Sequence, residues 1–400
     1  MPTPHDRHNL HDEVVRLTPE LIALRRDLHR HPELAFREQR TAGIVAQRLQ
    51  ELGLRVRTGV GGTGVVGLLE GALPGPVVGI RADMDALPLT ETAETPYRSQ
   101  TPGAMHACGH DGHTAAALIT AKLLAARRAT LKGSVKFLFQ PAEETANGAE
   151  AMINDGALRD PPVSAILGVH LWNNQPAGTI GLREGPLWAS VDELKIVIRG
   201  KGGHGAMPHQ TIDPIPVAAH IVLALENLVA RETAPLEPIA LTIGSIHAGA
   251  AFNVIPDEVT MLGTLRTFSM QQRDALAQRI EETVHGICSA MRAQGAVVSE
   301  YLTPPVVNDS VVTALVRQAA LDTVGEHRIV AAQRSMTGDD VAFLHKEAPG
   351  CYILIGSGNA AKGFDKPHHH PRFDFDEAAL PVAVEVLTRS AFACLQRTPP

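Results

Sequence analysis

Apolar positions recur along this chain with two different periods, and the order in which the periods alternate suggests an architecture. Leu21, Leu24 and Leu28 form a stripe at helical spacing behind Thr18-Pro19, which reads as an N-cap followed by proline at the first helical position. Ala42, Val45, Leu49 and Leu52 repeat that spacing, and Gly53 closes the helix. Residues 54–58 and 65–69 then read as strands. The glycines between them, Gly59 to Gly64, formally match GxGxxG, but that fingerprint must open a helix and here it opens a strand, so a turn is expected.

Three later stretches share one grammar. Val77–Ile80 breaks into Arg81-Ala82-Asp83-Met84-Asp85, Val135–Phe139 breaks into Gln140-Pro141-Ala142-Glu143-Glu144, and Ala165–Val169 ends at His170. Helical segments at 115–128 and about 146–155 separate them, and Tyr352–Ile355 is a further strand of the same kind. Strands alternating with helices imply an α/β fold with a doubly wound, largely parallel sheet, whose ligands bind at the carboxyl ends of the strands. The middle of the chain differs. Residues 191–197 nearly alternate polar and apolar, and a loop at 200–209 leads to a helix (214–231), strands (237–247 and 252–266), a helix (270–292) and a strand (296–302). That β-α-β-β-α-β order is the ferredoxin-like unit. The expected organisation is a discontinuous catalytic domain, 1–187 and 303–400, interrupted by an inserted lid and dimerisation domain, 188–302. The last helix, about 377–396, closes the first domain.

The length of 400 residues suits two domains, and 44% hydrophobic with 20% charged residues is the composition of a soluble globular enzyme. The net charge of −7, without a basic run, argues against nucleic-acid binding. No apolar run reaches the ~18 residues of a membrane span, and the polar N-terminus does not read as a signal peptide. The four cysteines (Cys108, Cys288, Cys351, Cys394) are far apart and form no CxxC, so a reducing, cytoplasmic setting is expected.

The chemistry concentrates in Met105–Thr114, where one thiol, three imidazoles and a carboxylate fall within nine residues. Cys108 and His110, with glycines on both sides of the histidine, read as metal ligands, although free cysteine is also a common core residue. Asp111 stands before the helix as a possible cap, and His106 and His113 are either supporting or surface histidines. Glu143-Glu144 at a strand end offers one carboxylate to a metal and another to a water, since neighbouring strand residues point to opposite faces. His170 follows the same logic, and His368-His369-His370 could add a ligand through long-range folding. Thiolate, imidazole and carboxylate together suit two divalent ions: zinc, cobalt, nickel or manganese. A metal-acidified water with a free carboxylate beside it performs amide hydrolysis. The rival reading makes Cys108 an acyl-transfer nucleophile paired with His110, which leaves the two glutamates unexplained.

Seven motifs occur in order. They are Arg81-Ala-Asp-Met-Asp-Ala-Leu-Pro88, Met105-His-Ala-Cys-Gly-His-Asp-Gly-His-Thr114, Phe139-Gln-Pro-Ala-Glu-Glu144, Gly168-Val-His-Leu-Trp172, Gly202-Gly-His-Gly-Ala-Met-Pro-His209, Phe252-Asn-Val-Ile-Pro256 and His368-His-His-Pro-Arg-Phe-Asp-Phe-Asp376. In them the chain resembles the metal-dependent aminoacylase/carboxypeptidase family, in the branch of hippurate hydrolases, N-acetyl-diaminopimelate deacetylases and auxin-conjugate hydrolases. The resemblance implies a two-metal hydrolase of N-acyl amino acids, with a carboxypeptidase or dipeptidase as the near alternative. It implies Cys108 as the bridging ligand, with His110, Glu144, His170 and His369 completing the set, and manganese or zinc as the metal (cobalt or nickel being further options). Glu143 would be the general base and acid, and Asp83 would orient a ligand imidazole. His204, with His209 as its rival, would bind the substrate carbonyl or oxyanion, while Asn253 and Arg266 would grip the substrate. A homodimer or tetramer through the lid strands is implied as well. One departure stands out: the family's Met-Gly-x-Glu-Asp-Phe is Met336-Thr-Gly-Asp-Asp-Val341 here, and Asp339 receives no role.

Overall fold

Eight strands form the sheet of the first compact unit, which comprises the chain up to Gly185, Val307–Gln333 and the residues from Asp339 onward. The structure, a computed structural model, describes residues 4–396. The strand order is Arg55–Val60, Gly64–Glu70, Lys132–Gln140, Leu73–Asp83, Ala165–Pro176, Gly350–Gly358, Ile180–Leu182, Ile329–Ala331. The four central strands run parallel, and an antiparallel pair flanks them on the Arg55 side. The sheet is therefore mixed, as in an α/β fold wound on both faces. Alternation along Val135–Phe139 shows why. Val135, Phe137 and Phe139 enter the large core, while Leu138 joins a smaller cluster with Val66 and Met152. Burying each such side chain contributes roughly 1.5–3 kcal/mol, so both faces need cover.

Three boundaries differ from the periodicity. Helix Pro4–Arg30 runs straight through Thr18-Pro19, because Leu10 and Val14 continue the buried stripe upstream and the Thr18 hydroxyl donates to Val14 O at 2.9 Å. Tertiary burial outweighs the roughly 3 kcal/mol that an interior proline costs. Helix His110–Ala125 begins five residues earlier than its alanine-rich stretch, on the left-handed Gly109 (φ 88°). Strand Ala165–Pro176 continues past His170, which sits within it.

The second unit comprises Pro186–Val306 and Arg334–Gly338. It is a four-stranded antiparallel sheet, ordered Ile239–Ala248, Glu258–Thr267, Val191–Arg199, Gln294–Thr303. Leu194, Ile196 and Ile198 alternate inward onto helices Pro214–Glu232 and Met270–Ala290. Asp213 and Ser269 cap those helices, their side chains accepting from Ile215 N and Gln272 N. The strand order and connections are those of the ferredoxin-like unit. The short segment Arg334–Gly338 belongs here, well beyond the expected boundary at 302/303. Among the described residues, one helix, Pro214–Glu232, is long and apolar enough by composition to cross a membrane. Its buried face (Val217, Ile221, Leu225, Leu228) packs in this unit's core, and the opposite face carries His220 and Glu226.

Candidate active site

Parallel pairing brings the polar ends of the central strands together. Asp83 stands opposite Gln140, and Arg81 opposite both Leu138 and Gly168. Gly168 has no room for a side chain, since a Cβ there would lie 2.9 Å from the Tyr352 ring. The chain beyond Asp83 then supports helix His110–Ala125. His110 Nδ1 lies 2.9 Å from Asp85 O and 3.3 Å from Asp85 Oδ1, so Nε2 is the free nitrogen. His113 is fixed at both nitrogens: Nδ1 donates to Asp83 Oδ1 at 2.7 Å, and Nε2 accepts from Leu171 N at 2.9 Å. The Thr114 hydroxyl donates to Asp83 O at 2.7 Å. Asp83, expected to orient a ligand imidazole, also has its Oδ2 3.6 Å from His110 Nε2. Asp83 orients His113 and bonds Arg81, while Asp85, one pleat further on, faces His110 Nδ1.

Glu143 and Glu144 do not alternate on a strand. They lie on a single 3-10 turn, Glu143–Thr145, between Ala142 (φ 52°) and Ala146 (φ 57°), two alanines in the left-handed region. The turn follows Gln140-Pro141, where the parallel ladder stops. Asp111 is not a cap either. It lies in the first turn of its helix and accepts from Arg25 Nε and His29 Nδ1, each at 2.8 Å. His369 arrives from the far end of the chain. Its N–H donates to Ala107 O at 2.8 Å, and Nε2 stands 3.5 Å from Glu144 Oε1. His368 instead bonds Leu171 O at 2.9 Å and stacks on Trp172.

Among the triads of donor atoms that lie within 4.8 Å of one another, two contain Cys108: one with His110 and His170, the other with Glu144 and His369. They share the Cys108 sulfur. His110 Nε2 and Glu144 Oε1 are buried without a hydrogen-bond partner. Two orphaned acceptors facing one thiol and further imidazoles fit a divalent cation. Electrostatics agree. Burial, then His113 and His368, hold His170 well below the usual imidazole range, leaving it a neutral lone-pair donor. Burial, then Glu144, push the Cys108 thiol up. His369 is raised to about 10 by Cys108 and Glu144. Such mutual demands for protons are what a cation in the same place replaces.

Glu143 is in neither of these two triads but groups with His110 and Glu144 on one side and with Asp339 and Asp340 on the other. Burial, then Asp339, Glu144 and Asp340, push its carboxyl well above the usual range. Asp339, left without a role by the sequence, is built into the floor. Arg81, fully buried, donates to Asp83 Oδ2 (2.7 Å), Gln140 Oε1 (2.9 Å), Tyr352 OH (3.0 Å) and Asp339 Oδ1 (3.0 Å). Tyr352 OH donates to Asp339 Oδ2 at 2.7 Å. Sequence reasoning passed over Arg81 and Asp85 although both lie in a quoted motif. A charged residue inside an apolar run was the available signal for Arg81.

The remaining candidates lie in the second unit. His204 pairs with Val254 in a two-residue ladder, Gly205 N donates to Asn253 O at 2.9 Å, and both side chains are exposed. His204 Nδ1 accepts from Ala206 N at 3.0 Å, which leaves the proton on Nε2. His209 is exposed on the turn Pro208–Gln210. Arg266 is half-buried, donates to Met336 O at 2.9 Å, and lines a cleft of about 460 Å³ with Thr242, Ser245 and Leu262.

The sequence pattern of Peptidase family M20/M25/M40 matches residues 79–393. The chain belongs to that family. It is 41% identical over 377 residues to N-acetylcysteine deacetylase of Bacillus subtilis, covering 94% of this chain and 97% of that one. It is 38% identical over 365 residues to IAA-amino acid hydrolase ILR1-like 4 of Arabidopsis thaliana, covering 90% and 82%. Among solved structures, the Bacillus subtilis YXEP protein, a dinuclear metal-binding peptidase of the same family, superposes with a TM-score of 0.83 at 38% identity, covering 95% and 99%. The chain is accordingly a metal-dependent hydrolase of amide bonds.

Proposed function

We propose that this protein cleaves the amide bond of N-acyl amino acids, releasing a carboxylate and a free amino acid. The reading rests above all on one observation: the donor atoms of Cys108, His110 and His170, and those of Cys108, Glu144 and His369, meet at the Cys108 sulfur, with the Glu143 carboxylate beside them grouped with His110 and Glu144. Cys108, His110 and His170 would hold one divalent ion, and Cys108, Glu144 and His369 a second, with manganese or zinc suiting the mixed donor set. Ions bound there supply Lewis acidity, lowering the pKa of water and polarising the amide carbonyl. Glu143 takes a proton from the attacking water and passes it to the leaving amine, ending as it began. Burial beside Asp339, Glu144 and Asp340 favours the proton-holding state between those two transfers. His204 donates its Nε2–H to the carbonyl oxygen as negative charge grows. It is preferred to His209 because Ala206 N–H fixes its tautomer. Arg266 or Asn253 meets the free carboxylate of the substrate. The exposed edge strand Ile239–Ala248 supports the second unit as the surface for a homodimer. Four free cysteines suit a cytoplasmic setting.

The test is a panel of N-acetyl- and N-benzoyl-amino acids beside free dipeptides, with chelator and with manganese or zinc restored. Metal-dependent release of amino acid from the acylated substrates is expected. Preference for dipeptides would turn the reading to a carboxypeptidase, and turnover in chelator would end it.

A further inference from the structure

The turn that carries Glu143 and Glu144 is held from outside by buried carboxylates. Ala142 N donates to Glu38 Oε1 at 2.9 Å, Glu144 N to Asp85 Oδ2 at 3.0 Å, and Ala149 N to Asp340 Oδ2 at 2.9 Å. Asp85 and Asp340 belong to the site's own strands and loops. Glu38 does not. It occupies the N-cap position of helix Gln39–Glu51, yet its side chain makes no capping bond there. It is fully buried and is reached by Phe36 N at 3.0 Å and by the Thr63 hydroxyl. Thr63 comes from the glycine-rich stretch Gly59–Gly64, where Gly61 and Gly62 take positive φ to turn the chain. Those glycines thus bring a hydroxyl to Glu38 instead of a loop to a phosphate.

A non-glycine residue in the left-handed region persists where its surroundings over-determine it. Ala142 is such a residue, and its one backbone donor is spent on Glu38. We propose that Glu38 is a positioning residue for the catalytic turn: its carboxylate, aligned by Thr63, holds Ala142 left-handed and so sets where the Glu143 carboxyl points. The proposal rests on the reading of Glu143 as base and makes no contact with substrate a condition.

Glu38→Gln keeps an oxygen for Ala142 N–H and turns an amide toward the rotatable Thr63 hydroxyl, so its kcat should stay within about 3-fold of the parent. Glu38→Ala should lower kcat about 100-fold with KM within about 3-fold, the scale expected of a misplaced reacting group. In Glu38→Ala, amide hydrogen exchange should quicken at Phe36 and in 142–149 and not elsewhere, in the metal-free as well as the metal-loaded protein. Added to Glu143→Ala, Glu38→Ala should cost nothing more, because both changes remove one function. A fully additive loss, a parental kcat for Glu38→Ala, a Gln variant no better than Ala, or global unfolding of Glu38→Ala would each overturn the positioning role. A parental kcat for Glu143→Ala would instead refute the reading of the base, while the exchange pattern still judges Glu38.

Discussion

The two units present histidines in opposite ways. In the first, His110, His113 and His170 are buried, and each has a nitrogen fixed by a carboxylate or a backbone group. In the second, His204 and His209 are exposed, and His204 is held by one backbone bond and a two-residue ladder. On the proposed reading the difference separates two tasks. His110 and His170, which would meet a small ion at fixed distances, are locked by a further layer of partners, while the exposed His369 is held through its backbone N–H to Ala107 O. A group proposed to meet a departing and returning substrate gains from being free of that layer.

The contrast breaks most severely at Cys108. Cys108→Ala removes the donor common to both triads, and activity should fall by at least about 10³-fold with loss of bound metal, read by assay and metal analysis. Retained metal would place the centre elsewhere. Arg81→Met leaves Asp83, Asp339 and Asp340 buried without their cation and should destabilise the first unit by about 3–5 kcal/mol, measured by denaturant unfolding. An exposed residue gives the opposite pattern. His204→Ala should reduce kcat about 100-fold, the scale of one lost oxyanion donor, without moving the melting temperature.

The smallest effect concerns pH. Burial and Arg25 push His29 down, but Asp111 and Glu91 outweigh them and raise it to about 9. Its folded value exceeds the unfolded 6.5, so the stability it adds is complete below about pH 6.5 and is lost as pH rises through about 9. On the order of 3 kcal/mol should disappear across that window, and His29→Gln should flatten the slope of melting temperature against pH. An unchanged slope would remove the charged His29–Asp111 pair from the account.

What the sequence made legible follows the same division. Apolar runs that break at Asp83 and just before Glu143-Glu144 announced strand ends, because strand burial is a local pattern, whereas His170 lies inside its strand. The 3-10 turn at Glu143 was not legible. Nothing in Pro141-Ala142-Glu143 marks a left-handed alanine, and the bond that favours it comes from Glu38, 104 positions away. Asp339 was opaque for the same reason, since its partners Arg81 and Tyr352 are set by sheet register. Thr18-Pro19 misled as a helix start because proline suits both a first turn and, under enough burial, an interior one. Asp111 misled as a cap because Arg25 and His29, distant in sequence, claim its carboxylate.

On the proposed reading five donors bind metal while Glu143 moves protons. Titrating the metal-free parent and Glu143→Ala with manganese, by calorimetry beside the hydrolysis assay, separates the two. The prediction is two ions per chain in both proteins with kcat at least about 10³-fold lower in the variant. A variant that binds fewer ions, or one that hydrolyses substrate like the parent, would contradict it.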